Sequence, residues 1–171
     1  MSRVKFGVDG DYMALLEEFT SELFKLYGER LRSVCLFGSV ARGEAVEGSD
    51  VDVLVVVENL PRGIGMRYRK ANQVRMKLKK CESYRRLREA GKPCTISEIY
   101  LTPEELRGHP PILLDIVEDG IIIYDKGNIL KETLNKLRER LKALGAKRVR
   151  GKKGRYWILK PDIKIGEEVR I

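Results

Sequence analysis

The chain has 171 residues, a net charge of +9 and 43% apolar residues, enough for one ordinary core and too little for two full domains. No apolar run approaches the roughly 18 residues of a membrane span, and the first residues, MSRVKFGVDG, lack a signal-peptide stretch, so a cytoplasmic protein with no membrane association is expected. Three unevenly spaced cysteines exclude a disulfide framework: Cys35 reads as a buried thiol, and Cys81 and Cys94 form no metal-ligand pattern with the one histidine, His109.

In chain order, residues 11–27 carry Met13, Leu15, Leu16, Phe19, Leu23 and Leu26 at the spacing of a one-sided helix. Residues 33–37 and 51–57 are short apolar runs that read as buried strands joined by a glycine-rich loop. Pro61, Gly63 and Gly65 precede a long basic helix expected over 66–90, ended by Gly91 and Pro93. Residues 95–101 alternate as a third strand, and Thr102-Pro103-Glu104-Glu105 carries the capping residue, helical proline and returning glutamate of a helix start. A short apolar helix follows over 112–118, then a fourth strand over 121–124. The leucines 130, 134, 137, 141 and 144 mark an amphipathic helix ended by Gly145. Residues 147–159 suit a hairpin turning at 151–154 and anchored by Tyr156 and Trp157. Two segments hold most of the positive charge. Residues 62–92 and 131–160 each carry twelve Lys and Arg against two Glu, while the rest of the chain is acidic on balance. Such segregation suits a polyanion such as nucleic acid, or two plainly solvated helices.

The stretch 36–56, LFGSVARGEAVEGSDVDVLVV, carries chemistry that can be read directly. Strand side chains alternate faces, so Asp50 and Asp52 point to one side where an apolar strand begins. Two carboxylates so placed repel unless a cation lies between them. Oxygen ligands select a hard ion, Mg²⁺ with Mn²⁺ as substitute, and Mg²⁺ completes its shell from water and substrate phosphates. At the end of the preceding strand, Gly38 and Ser39 offer a close backbone approach and a hydroxyl to phosphate oxygens. Arg42 can brace the loop against Glu44 or Asp52, or meet a phosphate itself. Ser49 suits the turn that orients Asp50.

Gly38-Ser39-x-Ala41-Arg42-Gly43-x5-Ser49-Asp50-x-Asp52 resembles the signature of the minimal nucleotidyltransferases of the polymerase β superfamily, matching at each of those positions. The resemblance implies an α+β fold, a mixed β-sheet with flanking helices: a nucleotidyltransferase domain over 1–126, and a C-terminal helix and β-hairpin extension over 127–171. It further implies two metal ions roughly 3.5 to 4 Å apart on Asp50 and Asp52. A nucleoside monophosphate, AMP from ATP, would pass to a hydroxyl with release of pyrophosphate. Gly38, Ser39, Arg42 and Ser49 become the nucleotide-binding set. A third carboxylate on a later strand normally completes such a site, and Glu98, the one acid of 95–101, is the candidate. Small members of the family act beside a HEPN-type helical protein as antitoxins, which makes that partner, an RNA end and a small-molecule hydroxyl the acceptors to consider. The competing reading is a non-catalytic nucleic-acid-binding or partner-binding module that retains the fold.

Overall fold

The computed structural model describes residues 8–151, 154–164 and 169. Helix α1, Gly10–Tyr27, opens where the Asp9 carboxylate accepts from the backbone N–H of Asp11 at 2.9 Å. It lays Leu15, Leu16, Phe19 and Leu23 on the sheet with no exposed surface. Each such burial contributes about 1.5–3 kcal/mol. Strands β1 (Leu31–Phe37) and β2 (Val51–Val57) flank the short helix α2 (Gly38–Ala41) and its loop. The β2 run VDVLVVV is buried throughout except at Asp52, which is partly open. Strand β3 is Ile96–Leu101, and β4 is Ile121–Asp125.

The sheet order is β3-β2-β1-β4, with β2 and β3 parallel and the other pairs antiparallel, so it is mixed. Its two faces are buried against different helices. Val34, Leu36, Val53 and Val55 join α1 in one core, together with Ala71, Val74, Leu78 and Leu87. Cys35, Phe37, Leu54 and Val56 join the other, with leucines of α5 (Pro103–Arg107), α6 (Leu113–Asp119) and α7 (Ile129–Ala143). Cys35 is fully buried, and that burial pushes its thiol up to about 12. The capping box at Thr102 forms with both of its hydrogen bonds, 2.8 and 3.2 Å. Asp125 ties the sheet to α7: its carboxylate accepts from the Ser33 hydroxyl at 2.6 Å and from the backbone N–H groups of Leu130 and Lys131.

The single basic helix expected over 66–90 is two helices, α3 (Ile64–Leu78) and α4 (Glu82–Glu89). Continued straight from the buried Leu78, one helix would press Glu82 and Arg85 toward the core. The chain instead turns at residues 79–81 and restarts, so that Ser83 and Leu87 become the buried positions of α4. Much of this basic segment is neutralised locally. Lys77 pairs with Glu22, Arg86 with Asp11 and Lys92 with Asp9, all acids of α1 or its cap. Arg67 is buried and its guanidinium grips Glu105 through two 2.8 Å bonds.

The C-terminal hairpin consists of β5 (Lys147–Gly151) and β6 (Gly154–Ile158), and the expected turn residues Lys152 and Lys153 lie outside the described residues. Trp157 anchors it, donating from Nε1 to the Leu114 carbonyl at 3.0 Å. Tyr156, expected to share that task, is 55% exposed because its position in β6 faces away from the body. No helix among the described residues is long and apolar enough to cross a membrane.

Candidate active site

The β1–α2 corner and the start of β2 meet over the second core. Antiparallel register sets Phe37 opposite Asp52, so both project toward the same face, where a cleft of about 450 Å³ opens. Gly38 and Ser39 form part of its wall with Asp52, Arg42 and Glu44. Gly38 holds φ at +76°, and a Cβ there would stand 2.2 Å from Asp52 Oδ2. Only a residue without a side chain lets the backbone approach that carboxylate so closely.

Asp52 is held above the ordinary aspartate range, first by burial and then by repulsion from Asp50, with Asp115 of α6 adding to it. Arg42 and the Ser97 hydroxyl oppose the rise. Asp50, one residue before β2, is exposed, and neither aspartate enters an ion pair among the described residues. The pair is therefore close enough to feel each other's charge and is left without a basic partner at hydrogen-bond distance. That is the electrostatic condition a divalent cation would relieve.

Arg42 donates to Glu44 at 2.9 Å and lies 3.6 Å from Asp119. Ser49 closes the loop: its hydroxyl accepts from the Val46 N–H at 3.0 Å, and its own N–H donates to the Val46 carbonyl at the same distance. It is a loop residue, set in the turn that leads to Asp50.

Glu98 does not join the group. The parallel register places Ser97 beside Asp52 and Glu98 beside Val53, so strand alternation turns Glu98 to the opposite face of the sheet. There its side chain is fully buried, and both carboxylate oxygens accept from Arg75 Nε of α3 at 2.7 and 2.9 Å. The residue next to Asp52 where a third acid was sought is a serine. Accordingly, Glu98→Ala is expected to cost about 1–3 kcal/mol of stability through the buried polar groups it strands. Transfer activity should stay within a few-fold of wild type at a temperature where both are folded. A thermal melt and a rate measured on the same preparation check this.

The sequence reading missed residues supplied from far along the chain. Asp115 of α6, and Arg148, Arg150, Gly154 and Arg155 of the hairpin, line the same cleft. Arg148 pairs with Asp119 at 2.7 Å, and Arg155 forms a two-pronged pair with Glu44, one contact at 2.6 Å. Arg155 and then Arg42 hold the Glu44 carboxyl down to about 2. A signal was present: Arg148-Val149-Arg150 alternates in a strand, which sends both arginines to one face. Only the docking of the hairpin shows that this face meets the cleft.

Mixed-sheet α+β architecture, with Asp52 set against a glycine-serine corner, is the fold of a nucleotidyltransferase domain. Residues 14–134 match the family described as nucleotidyltransferase domain. The Methanocaldococcus jannaschii protein MJ1305, provisionally named a protein adenylyltransferase, is 33% identical over 132 residues, covering 76% of this chain and 83% of that protein. A provisionally assigned nucleotidyltransferase structure from Sulfolobus solfataricus superposes with a TM-score of 0.43 at 19% identity, over 73% of this chain and 92% of that one. The structure of a tri-AMPylated Shewanella oneidensis HEPN toxin in complex with its MNT antitoxin gives 0.41 at 14%, over 77% and 90%. The chain belongs to the nucleotidyltransferase domain family and is a nucleotidyltransferase enzyme.

Proposed function

We propose that this chain moves AMP from ATP onto a hydroxyl group of a protein, with Asp50 and Asp52 holding Mg²⁺ and with Gly38 and Ser39 receiving the triphosphate. The observation that carries the reading is Asp52, set against the Gly38 backbone in an open cleft and repelled by Asp50 two residues away. The protein acceptor is supported by the name of the Methanocaldococcus jannaschii relative.

The donor set fits the metal in kind. Two carboxylates on one strand supply hard oxygens, and Mg²⁺ ordinarily takes one or two from protein and the rest from water and phosphate. Water and substrate oxygens would complete the shell around these two carboxylates. When bound, the metal would neutralise charge on the transferring phosphoryl group and lower the pKa of the acceptor hydroxyl.

The chain's own groups orient the reaction. Gly38 lets the backbone lie against Asp52 without a side chain between them. Ser97, the neighbour of Asp52 in the β2–β3 register, favours its ionised carboxylate. Arg42, tied to Glu44, braces the loop that follows α2, the helix that carries Ser39. The acceptor oxygen forms a bond to the α-phosphorus as the bond to the bridging α–β oxygen breaks. Pyrophosphate departs with that electron pair, and the acceptor's proton passes to solvent.

The test is incubation with Mg²⁺ and ATP labelled at the α- or the γ-phosphate, offering a HEPN-type helical protein, RNA and small hydroxyl compounds in turn. Label should reach protein from the α position only, and EDTA should stop it. Transfer to RNA alone would move the acceptor to a nucleic-acid end. Failure of the α label to reach any acceptor would overturn the proposal.

A further inference from the structure

The hairpin carries a charge arrangement that its own folding does not call for. In the β5–β6 register Arg150 stands directly opposite Arg155, and Arg148 is opposite Trp157. Paired positions share a face, so three guanidinium groups project to the side that Trp157 fastens to α6. Like charges directly opposite in a two-stranded ribbon are destabilising. Trp157, the Arg148–Asp119 pair and the Arg155–Glu44 pair nonetheless hold this face over the cleft that contains Asp52, Gly38 and Ser39. Arg150 lines that cleft and has no ion-pair partner among the described residues. The wall with Asp52 thus holds a carboxylate without a basic partner, and the facing wall holds Arg150, a guanidinium group without an ion pair among the described residues.

We propose that Arg150, set opposite the Glu44-bound Arg155, clamps the β- and γ-phosphates of the nucleoside triphosphate, and the pyrophosphate formed from them. This rests on the nucleotidyl-transfer reading of the same cleft. The chemistry favours it on two counts. Planar guanidinium forks match phosphate oxygens in pairs, which an ammonium group cannot do. Asp52 and Asp115 on the opposite wall would repel the distal phosphates, and Arg150 across the cleft offsets that charge. Arg148, engaged by Asp119, positions the strand.

The clamp predicts a distinction between nucleotides that differ only in their distal phosphates. Binding of ATP, pyrophosphate and AMP to the full chain with Mg²⁺ would be measured by calorimetry for wild type, Arg150→Ala and Arg150→Lys. In Arg150→Ala, affinity for ATP and pyrophosphate should fall about 10- to 100-fold while that for AMP stays unchanged. Arg150→Lys should fall between, because it keeps the charge and loses the fork. Arg150 is exposed, so unchanged melting of both variants is expected and verifies that the fold is intact. Equal weakening of ATP and AMP, or ATP binding untouched by the alanine, would overturn the clamp while leaving the aspartate site standing. A wild-type chain that binds no triphosphate with Mg²⁺ would remove both.

Discussion

Asp52→Asn should lower the transfer rate by on the order of a thousandfold, since holding metal charge against the transferring phosphoryl group is worth several kcal/mol and each 1.36 kcal/mol is a factor of ten. The same substitution should make the metal-free protein more stable. Asp52 is kept above its usual range by burial and by Asp50, so its ionised form is disfavoured in the folded chain relative to the unfolded one. A raised acid of this kind costs stability above its folded pKa, and the cost disappears as pH falls through that value to the ordinary aspartate range. Asparagine removes the charge and keeps the shape. A gain in stability is expected near pH 7 without metal, shrinking toward zero in acid. Adding Mg²⁺ should reverse the order, raising the melting temperature of wild type and leaving that of the variant nearly unmoved. Thermal melts at two pH values, with and without Mg²⁺, check all three statements. A variant less stable than wild type at pH 7 without metal would mean the aspartate pair is not under repulsion.

What could be read in the sequence follows the range of the physics involved. Strand β2 was legible to the residue because VDVLVVV is apolar on both faces, and the capping box at Thr102 because its four residues interact only with one another. The placement of Asp52 with the preceding Gly38–Ser39 is likewise local, so their meeting on one cleft needed only strand alternation. Glu98 failed where register decides. Whether an acid on β3 faces the site depends on which residue stands beside Asp52, and a shift of one residue exchanges Ser97 for Glu98. The break between α3 and α4 was hidden because residues 79–81 contain no glycine or proline. It is imposed by the need to bring Leu87 onto the core. Arg148, Arg150 and Arg155 were visible only as part of a basic tail, since their relation to Asp52 spans about a hundred residues of chain and is set by Trp157 on Leu114. The segregated charge had suggested a polyanion-binding surface. Half of that argument weakens in three dimensions, because α1 takes up Lys77, Arg86 and Lys92.

Gly38→Ala should be nearly as damaging to activity as losing Asp52, by a different route. A methyl group at Gly38 would sit 2.2 Å from Asp52 Oδ2 and 3.1 Å from its Cγ, well inside contact distance, and φ of +76° is itself unfavourable for alanine by about 1–2 kcal/mol. The strand cannot yield, since Val51 and Val53 on either side of Asp52 are fully buried. The carboxylate must therefore swing away, and a displacement of about 1 Å at a reacting centre costs roughly a hundredfold in rate. A hundredfold or greater loss in kcat is expected, together with weaker Mg²⁺ binding and a stability loss of about 1–3 kcal/mol. The backbone cost and the clash separate in a double-mutant cycle. In an Asp52→Gly background there is no carboxylate to strike, so Gly38→Ala should lose only the φ contribution. The two substitutions should then couple by about 1 kcal/mol or more in stability. Strict additivity would show that the methyl group is accommodated without touching Asp52, and the close approach of Gly38 to the carboxylate would no longer explain why glycine stands there.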